Sequence, residues 1–375
     1  MADPDELGAE DLLGWLGLLR LPLAPREKLE VLARHPRPAS LFARGARPRG
    51  ALGRLVAAVD PARLEADRRW MQGAECRLVT LAHPSYPRRL AEIPDPPVAL
   101  FVRGDLGPVE PAVAVVGSRR ATPAGRELAF ALAASLARAG LAIVSGMAVG
   151  VDAEAHRGAI AAHGPTVAVL GGGLGRPYPR ANLTLIETVA RRGAVVSEYP
   201  PTMEPLPRNF PSRNRIISGL SLGVIVVEAA ERSGSLITAR LAGEQGREVF
   251  AVPGPVASPL SRGCHALLKQ GAKLVESTAD VLDELVVEGL SRDPWPTPPG
   301  TAASGGEAPS RPVPAAAERV LRCVDYAPTT MDIVVERSGL TPDVVSSMLL
   351  TLELSGHLRS EPGGFYSRSA RGTGR

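Results

Sequence analysis

What this chain lacks narrows its chemistry before anything it contains. Its three cysteines, Cys76, Cys264 and Cys323, are solitary and never stand at metal-ligand spacing. That excludes a structural zinc site and a disulfide framework, and a reducing, cytoplasmic location is expected. No apolar run approaches the roughly 20 residues of a membrane span, so no membrane partner is expected. The N-terminus carries Asp3, Asp5 and Glu6 where a signal peptide would have a basic start and an apolar stretch. No G-x-x-x-x-G-K-[ST] loop and no G-x-G-x-x-G fingerprint occurs, which argues against ATP hydrolysis and a bound dinucleotide. Ser118, Ser145 and Ser233, which lie in glycine loops, have no G-x-S-x-G context. Lysine is nearly missing, with only Lys28, Lys269 and Lys273, and aromatic residues make up 4%.

The positive charge is therefore almost entirely arginine. The net charge of +4 and a pI near 9.2 permit a polyanionic partner without requiring one. Abundant Ala, Gly and Pro fit GC-rich coding as well as they fit selection for binding, so the placement of individual arginines has to decide. With 375 residues, 45% of them hydrophobic, the chain can bury a large core spread over two or three domains.

Residues 1–75 read as a small helical bundle of the SAM or helix-hairpin-helix kind. Helices are expected at 10–19, 25–33, 52–59 and 61–71, punctuated by Pro22, Pro36, Pro48 and Gly50. Residues 76–110 read as an extended connector packing on the core. From 111 to 290 short apolar runs (113–116, 141–144, 166–170, 194–197, 224–227, 249–252 and 273–275) alternate with helical stretches. The latter lie at 122–139, 151–161, 181–191, 212–220, 235–245 and 262–269. Near-continuous β-branched runs alternating with helices predict an α/β fold with a doubly wound, Rossmann-like parallel sheet. Residues 291–315 are rich in Pro, Gly, Ser and Thr and form a linker. Helices at 316–324, 331–337 and from Thr341 onward, then strands at 358–360 and 365–367 around Pro362-Gly-Gly364, predict a winged helix over 316–368. A basic tail, 369–375, ends the chain.

Ligands of such sheets bind beyond the carboxyl ends of the strands, where glycine loops meet helix N-termini. Here those loops are Gly117-Ser118-Arg119-Arg120, Ser145-Gly-Met-Ala-Val-Gly-Val-Asp152, Gly171-Gly-Gly-Leu-Gly175 and Ser233-Gly234-Ser235. The densest cationic stretch is Pro207-Arg208-Asn209-Phe210-Pro-Ser-Arg213-Asn214-Arg215. Its arginines offer phosphate-binding forks and its asparagines offer amides. Phe210, one of six phenylalanines, has two readings: a stacking face for a base, or a plug between helix and sheet. Arg119 ends the first parallel strand on the same edge of the sheet, so the two cationic sites should converge. Catalytic groupings are thin. Asp152, Glu154 and His156 suit a helix start and a structural histidine, and Glu198 and Glu228 read as partners of arginines or backbone N–H groups.

The order of motifs resembles the DprA/Smf family from about residue 83 to 287. The resemblance rests on Tyr86-Pro, Val116-Gly-Ser-Arg119 with Thr122 and Gly125, and Val144-Ser-Gly-Met-Ala-Val-Gly-Val-Asp152 with His156. It continues through Tyr178-Pro179, Ser197-Glu-Tyr-Pro200, Phe210-Pro-Ser-Arg-Asn-Arg215, Val227-Glu-Ala-Ala-Glu-Arg-Ser-Gly-Ser-Leu-Ile-Thr-Ala239 and Val252-Pro-Gly254. It implies a non-enzymatic protein that binds single-stranded DNA and loads the RecA recombinase in natural transformation, with no cofactor or metal. It also implies a homodimer formed through the latter part of the Rossmann domain, on a surface overlapping the RecA contact. The family's DNA pocket carries over to Ser118, Arg119, Phe210, Arg213 and Asn214.

One departure concerns the winged helix, whose third helix (341–355) has Asp343 and Glu353 but no Lys or Arg. A major-groove reader presents basic or amide groups there, so a protein-interaction or accessory role is expected instead. Two other function classes remain in view. A nucleoside-phosphate N-glycosidic hydrolase would use Glu228 beside Ser233-Gly234-Ser235, although its P-G-G-x-G-T-x-x-E hallmark is absent. A winged-helix transcription regulator would need the recognition helix to read duplex DNA.

Overall fold

The computed structural model describes residues 7–43, 50–107, 109–285, 315–325, 328–361 and 363–368. The chain divides into two compact units, one within residues 1–295 and one within 296–375. The first holds a nine-stranded sheet. Its strands are β1 (Cys76–Thr80), β2 (Ala99–Gly104), β3 (Ala112–Gly117), β4 (Ala142–Ser145), β5 (Thr166–Val169), β6 (Ala194–Ser197), β7 (Gly223–Val227), β8 (Glu248–Ala251) and β9 (Lys273–Leu274). They lie in the order β1-β2-β6-β5-β4-β3-β7-β8-β9. The pairings from β6 across to β9 are parallel.

The central parallel strands, β3 to β7, are buried on both faces, as their unbroken Val, Ile and Ala runs require. Ala112, Ala114 and Val116 of β3 pack with Ile216, Ile217 and Ala239 on one face. Val113 and Val115 pack with Leu132, Leu136 and Ala155 on the other. The sheet is larger than the sequence reading allowed. Residues 76–110 contribute two strands of the sheet itself, β2 pairing antiparallel with β6 and β1 with β2. The physical reason lies in Ala99, Leu100, Phe101 and Val102, all fully buried. A run apolar on both faces satisfies its backbone best inside a sheet.

The helices at Ala9–Arg20, Pro25–Arg34, Ala39–Phe42, Gly50–Ala57 and Pro61–Gly73 form the N-terminal bundle. Leu18, Leu21, Val31 and Leu41 give it a core of its own. Leu16, Leu19, Leu64 and Met71 instead join Phe101, Ala168, Leu174 and Ile186 in a single apolar cluster, so bundle and sheet are continuous.

The second unit has helices at Ala315–Cys323, Met331–Ser338 and Pro342–Leu354 and a three-stranded sheet. Its strands Thr329–Thr330 and Leu358–Glu361 flank Phe365–Arg368, the first of them absent from the sequence reading. This is a winged helix, closed around Val320, Val334, Val345, Leu349 and Leu352. Of its arginines, Arg337 pairs with Asp325 and Arg368 donates to the carbonyls of Leu321 and Val324. The linker at 291–314 and the tail at 369–375 lie outside the described residues.

His156, on the helix Val151–Ala161, is fully buried. The Thr166 hydroxyl donates to the Ile143 carbonyl and accepts from Nδ1 of His156 at 2.7 Å. The ring thus ties its helix to β4 and β5. Nε2 is buried without a partner, and burial pushes the imidazole pKa down to about 3, with the Arg213 and Arg157 charges adding. This is a structural histidine kept neutral.

Its linkage has a definite sign. The unfolded chain takes up a proton below pH 6.5 that the fold refuses. The contribution is complete above that pH and is lost progressively toward pH 3. It amounts to ~2 kcal/mol of stability lost by pH ~5. Thermal melts of the wild type and His156→Gln from neutral to acid pH check this. The wild-type melting temperature should fall more steeply with acid, and parallel curves for the two proteins would contradict it.

Candidate functional site

Strand β3 lies between β4 and β7, so the chain winds outward from it in both directions. The crevice beyond the carboxyl ends of β3 and β7 is the switch point at which such sheets bind ligands. A cleft of about 550 Å³ opens there. One wall is the turn after β3, another the helix Asn209–Gly219, and a third the start of the helix Gly234–Glu244.

Gly117 lets the first wall form. A Cβ at this position would lie 1.8 Å from the carbonyl oxygen of Val227, so β3 and β7 approach too closely for any side chain. The turn is then held by its own polar groups. Ser118 Oγ accepts from the Arg120 amide at 3.0 Å, and the Ser118 carbonyl accepts from the Val151 amide at 3.2 Å. Arg119 and Arg120 are left exposed on the rim. At the third wall, Ser233 caps the helix by accepting from the Ser235 amide, and the two hydroxyls lie 2.7 Å apart. A Cβ at Gly234 would meet nothing within 4 Å, so the backbone is open at that point. Arg232 of the same loop also lines the cleft, although nothing in its motif singled it out.

The helix carrying the second wall starts at Asn209, earlier than its hydrophobic period suggests. Pro211 sits in its first turn, where a missing N–H costs nothing. Arg213 and Arg215, two residues apart, therefore point to opposite sides of a helix. Arg213 faces the cleft but is buried: Nη1 donates to the Gly146 carbonyl at 2.9 Å and to that of Val169, and Nε to Asn214 Oδ1 at 3.3 Å. Burial lowers its pKa to about 10, with Asp152 opposing and Arg119 adding, so it stays charged at neutral pH. It is a cationic wall that braces the ends of β4 and β5.

Arg215 does not reach the cleft, which corrects the sequence reading of it as a phosphate fork. Its two Nη groups donate to the Glu198 carboxylate at 2.8 and 2.7 Å, and Nε lies 3.0 Å from Asp95. Arg208 is exposed in the turn ahead of the helix and also lies outside the cleft lining. Asn214 lines the cleft, its Nδ2 donating to the Gly234 carbonyl at 3.2 Å and so joining two walls.

Phe210 packs between elements, as one of its two sequence readings expects, and also borders the cleft. Half-buried, it lies against Gly171, where a Cβ would come within 2.9 Å of the ring, and it also lines the cleft. The Arg119 guanidinium sits 5.8 Å from its centroid, close enough for a cation–π contact. Tyr178 also meets it edge to face, at 5.7 Å and 62°. Tyr178 is half exposed, and although Tyr178-Pro179 counted toward the family resemblance, no site role was assigned to it. Its signals were that motif and an aromatic just past a glycine loop in an aromatic-poor chain.

The acidic candidates are all engaged. Glu228 has a left-handed backbone (φ 51°), and its carboxylate accepts from the Thr122 amide at 2.8 Å and hydroxyl at 2.5 Å. Gly125 makes room for it, since a Cβ there would lie 2.4 Å from the carboxyl carbon. Glu198 is taken up by Arg215. Asp152 is buried and accepts from the Gly146 and Ala148 amides. Burial raises its carboxyl pKa, opposed by Arg213 and those amides. Among the described residues no cluster of His, Cys, Asp or Glu could hold a metal ion.

The same chain pattern is found in known proteins. The sequence matches the DNA recombination-mediator protein A family over residues 77–286 and the DprA winged helix domain over residues 304–364. It is 42% identical over 304 residues to Protein Smf of Escherichia coli (strain K12), covering 80% of each chain. The X-ray structure of DNA processing protein A from Streptococcus pneumoniae superposes with a TM-score of 0.64 at 38% identity, covering 75% of this chain and 100% of that one. DNA processing protein A from Helicobacter pylori, solved for its single-stranded DNA binding mode, gives a TM-score of 0.50 at 32% identity, covering 55% of this chain and 94% of that one. The chain belongs to the DNA recombination-mediator protein A family, that of the DprA and Smf proteins.

Proposed function

We propose that this protein binds single-stranded DNA in the cleft at the β3–β7 switch point, with little sequence preference, and works by binding alone. The observation that carries the reading is Phe210, partly exposed on a glycine-walled cleft and in contact with both the Arg119 guanidinium and the Tyr178 ring. Aromatic faces beside cations hold a flexible strand through its bases and phosphates together, and any base can stack. Gly117, Ser118, Gly234 and Ser235 bring backbone and hydroxyl groups to the same cleft. Helix N-termini of this kind attract phosphate. The single-strand binding mode described for the Helicobacter pylori relative supports the same reading.

Transfer of the bound strand to RecA in natural transformation and recombination, and a homodimer through the latter part of the Rossmann domain, are drawn from the family resemblance, and a cytoplasmic setting from the solitary cysteines. Two observations weigh against N-glycosidic hydrolysis. Both oxygens of Glu228 are occupied by Thr122, and Glu198 is held by Arg215. For the winged helix we propose an accessory role, because the exposed side of Pro342–Leu354 shows Asp343, Val344, Leu350 and Leu354 and no basic group.

Fluorescence anisotropy with matched single- and double-stranded oligonucleotides tests the reading. Single strands should bind more tightly, with little dependence on sequence and a log–log salt slope of about −0.7 per phosphate contact. Equal affinity for duplex would overturn it.

Three substitutions separate the roles of the site residues. Arg119→Ala should weaken binding and flatten the salt slope by about one contact. Phe210→Ala should cost about 1–3 kcal/mol in binding with the slope nearly unchanged. Arg215→Ala, by leaving Glu198 buried without its partner, should cost about 3–5 kcal/mol of stability and show mainly as a lower melting temperature. An Arg215 variant that melts normally but loses DNA would show the site to be wrongly drawn.

A further inference from the structure

The N-terminal bundle grips the sheet-bearing part of the first unit through one closed polar triangle. Asp67, on the helix Pro61–Gly73, is fully buried. Its Oδ2 accepts from Arg20 Nε at 2.6 Å, and its Oδ1 accepts from the Thr202 amide at 2.9 Å and hydroxyl at 2.8 Å. Arg20 Nη2 closes the figure by donating to Thr202 Oγ1 at 2.7 Å. Two bundle helices thus hold one residue of the segment between β6 and the Phe210 helix.

Packing alone does not require this. Leu16, Leu19, Leu64 and Met71 already join bundle and sheet through apolar contact. Apolar surfaces specify position loosely, whereas directional charge-assisted bonds fix one register. What the triangle fixes lies next door. The carbonyls of Met203 and Pro201 accept from the amides of Gly173 (2.9 Å) and Gly175 (2.8 Å). A Cβ at Gly173 would lie 2.2 Å from the carbonyls of Pro200 and Pro201, and one at Gly175 would lie 2.9 Å from the Trp70 indole nitrogen. The glycine loop 171–175 is therefore clasped between the bundle and residues 200–205. Its first residue, Gly171, is the surface on which the Phe210 ring rests.

We infer that the Arg20–Asp67–Thr202 triangle is a positioning device for the cleft: through segment 200–205 and the glycine loop it sets the floor beneath Phe210. The bundle is then part of the site's support. The inference rests on the reading of the cleft as the single-strand site. Its partners are positioning residues and touch no DNA.

The test uses the full chain and a fluorescein-labelled oligo-dT strand, well below the melting temperature. Thr202→Val keeps the shape and removes the hydroxyl. It should raise the Kd about three- to tenfold with an unchanged salt slope, since no phosphate contact is touched. The Gly173 and Gly175 amides should exchange hydrogen faster. Thr202→Ser should restore both. In a Phe210→Ala background Thr202→Val should have no further effect on Kd, because the two act through one ring. If Thr202→Val fails to fold, Thr202→Ala takes its place in the same cycle. An unchanged Kd in the folded variant, or an undiminished effect without Phe210, overturns the inference and leaves the cleft reading standing. If Phe210→Ala and Arg119→Ala both bind normally, the cleft reading falls and the inference with it.

Discussion

Everything at the site depends on how closely β3 and β7 approach at their carboxyl ends. Gly117 faces the Val227 carbonyl with no room for a Cβ, and Gly125 leaves space for the Glu228 carboxylate just beyond. The two strands belong to the two halves of the sheet, which wind away from β3 in opposite directions. Their contact brings the Gly117 turn and the Ser233 cap to one cleft. Glu228, in a left-handed conformation, then bonds back to Thr122, the residue that caps the helix after β3. A carboxylate placed where an enzyme would keep its acid or base is here a fastener between the two halves.

The arginines show why total charge was a poor guide. Arg119 is exposed beside an aromatic ring, Arg213 is a buried brace across two strand ends, and Arg215 belongs to an ion pair that leaves the cleft altogether. One motif supplies the last two. Their fates differ because a helix turns them apart. Burial also changes what each does: a guanidinium whose donors are spent on carbonyls gives a ligand its charge, whereas an exposed one gives it a fork.

The parallel strands β3 to β7 were legible because each is buried on both faces and therefore reads as an unbroken apolar run. Strands β8 and β9, partly exposed toward the sheet edge, were legible from the helices that precede them. So was the winged helix, through Thr341-Pro342 at a helix start and the glycines of the wing. Strands β1 and β2 were not, because their antiparallel connection carries only the four-residue helix Arg88–Ala91 and no full crossover helix to announce it. The start of the Phe210 helix was missed because Pro211 reads as a breaker, although a first-turn proline is not one. Arg213 and Arg215 both fall within the stretch 212–220 read as helical, so their opposite orientation was already legible from helical spacing. Tyr178 meets Phe210, and Asp67 meets Thr202, across separations no local pattern encodes.

The most direct measurement is photo-crosslinking of a single strand carrying 5-iodouracil, followed by mass spectrometry of the adducts. The account predicts adducts on Phe210 or Tyr178, lost in the Phe210→Ala, Tyr178→Ala double variant while the protein still folds. Adducts confined to the winged helix, residues 315–368, with none on either ring, would contradict it.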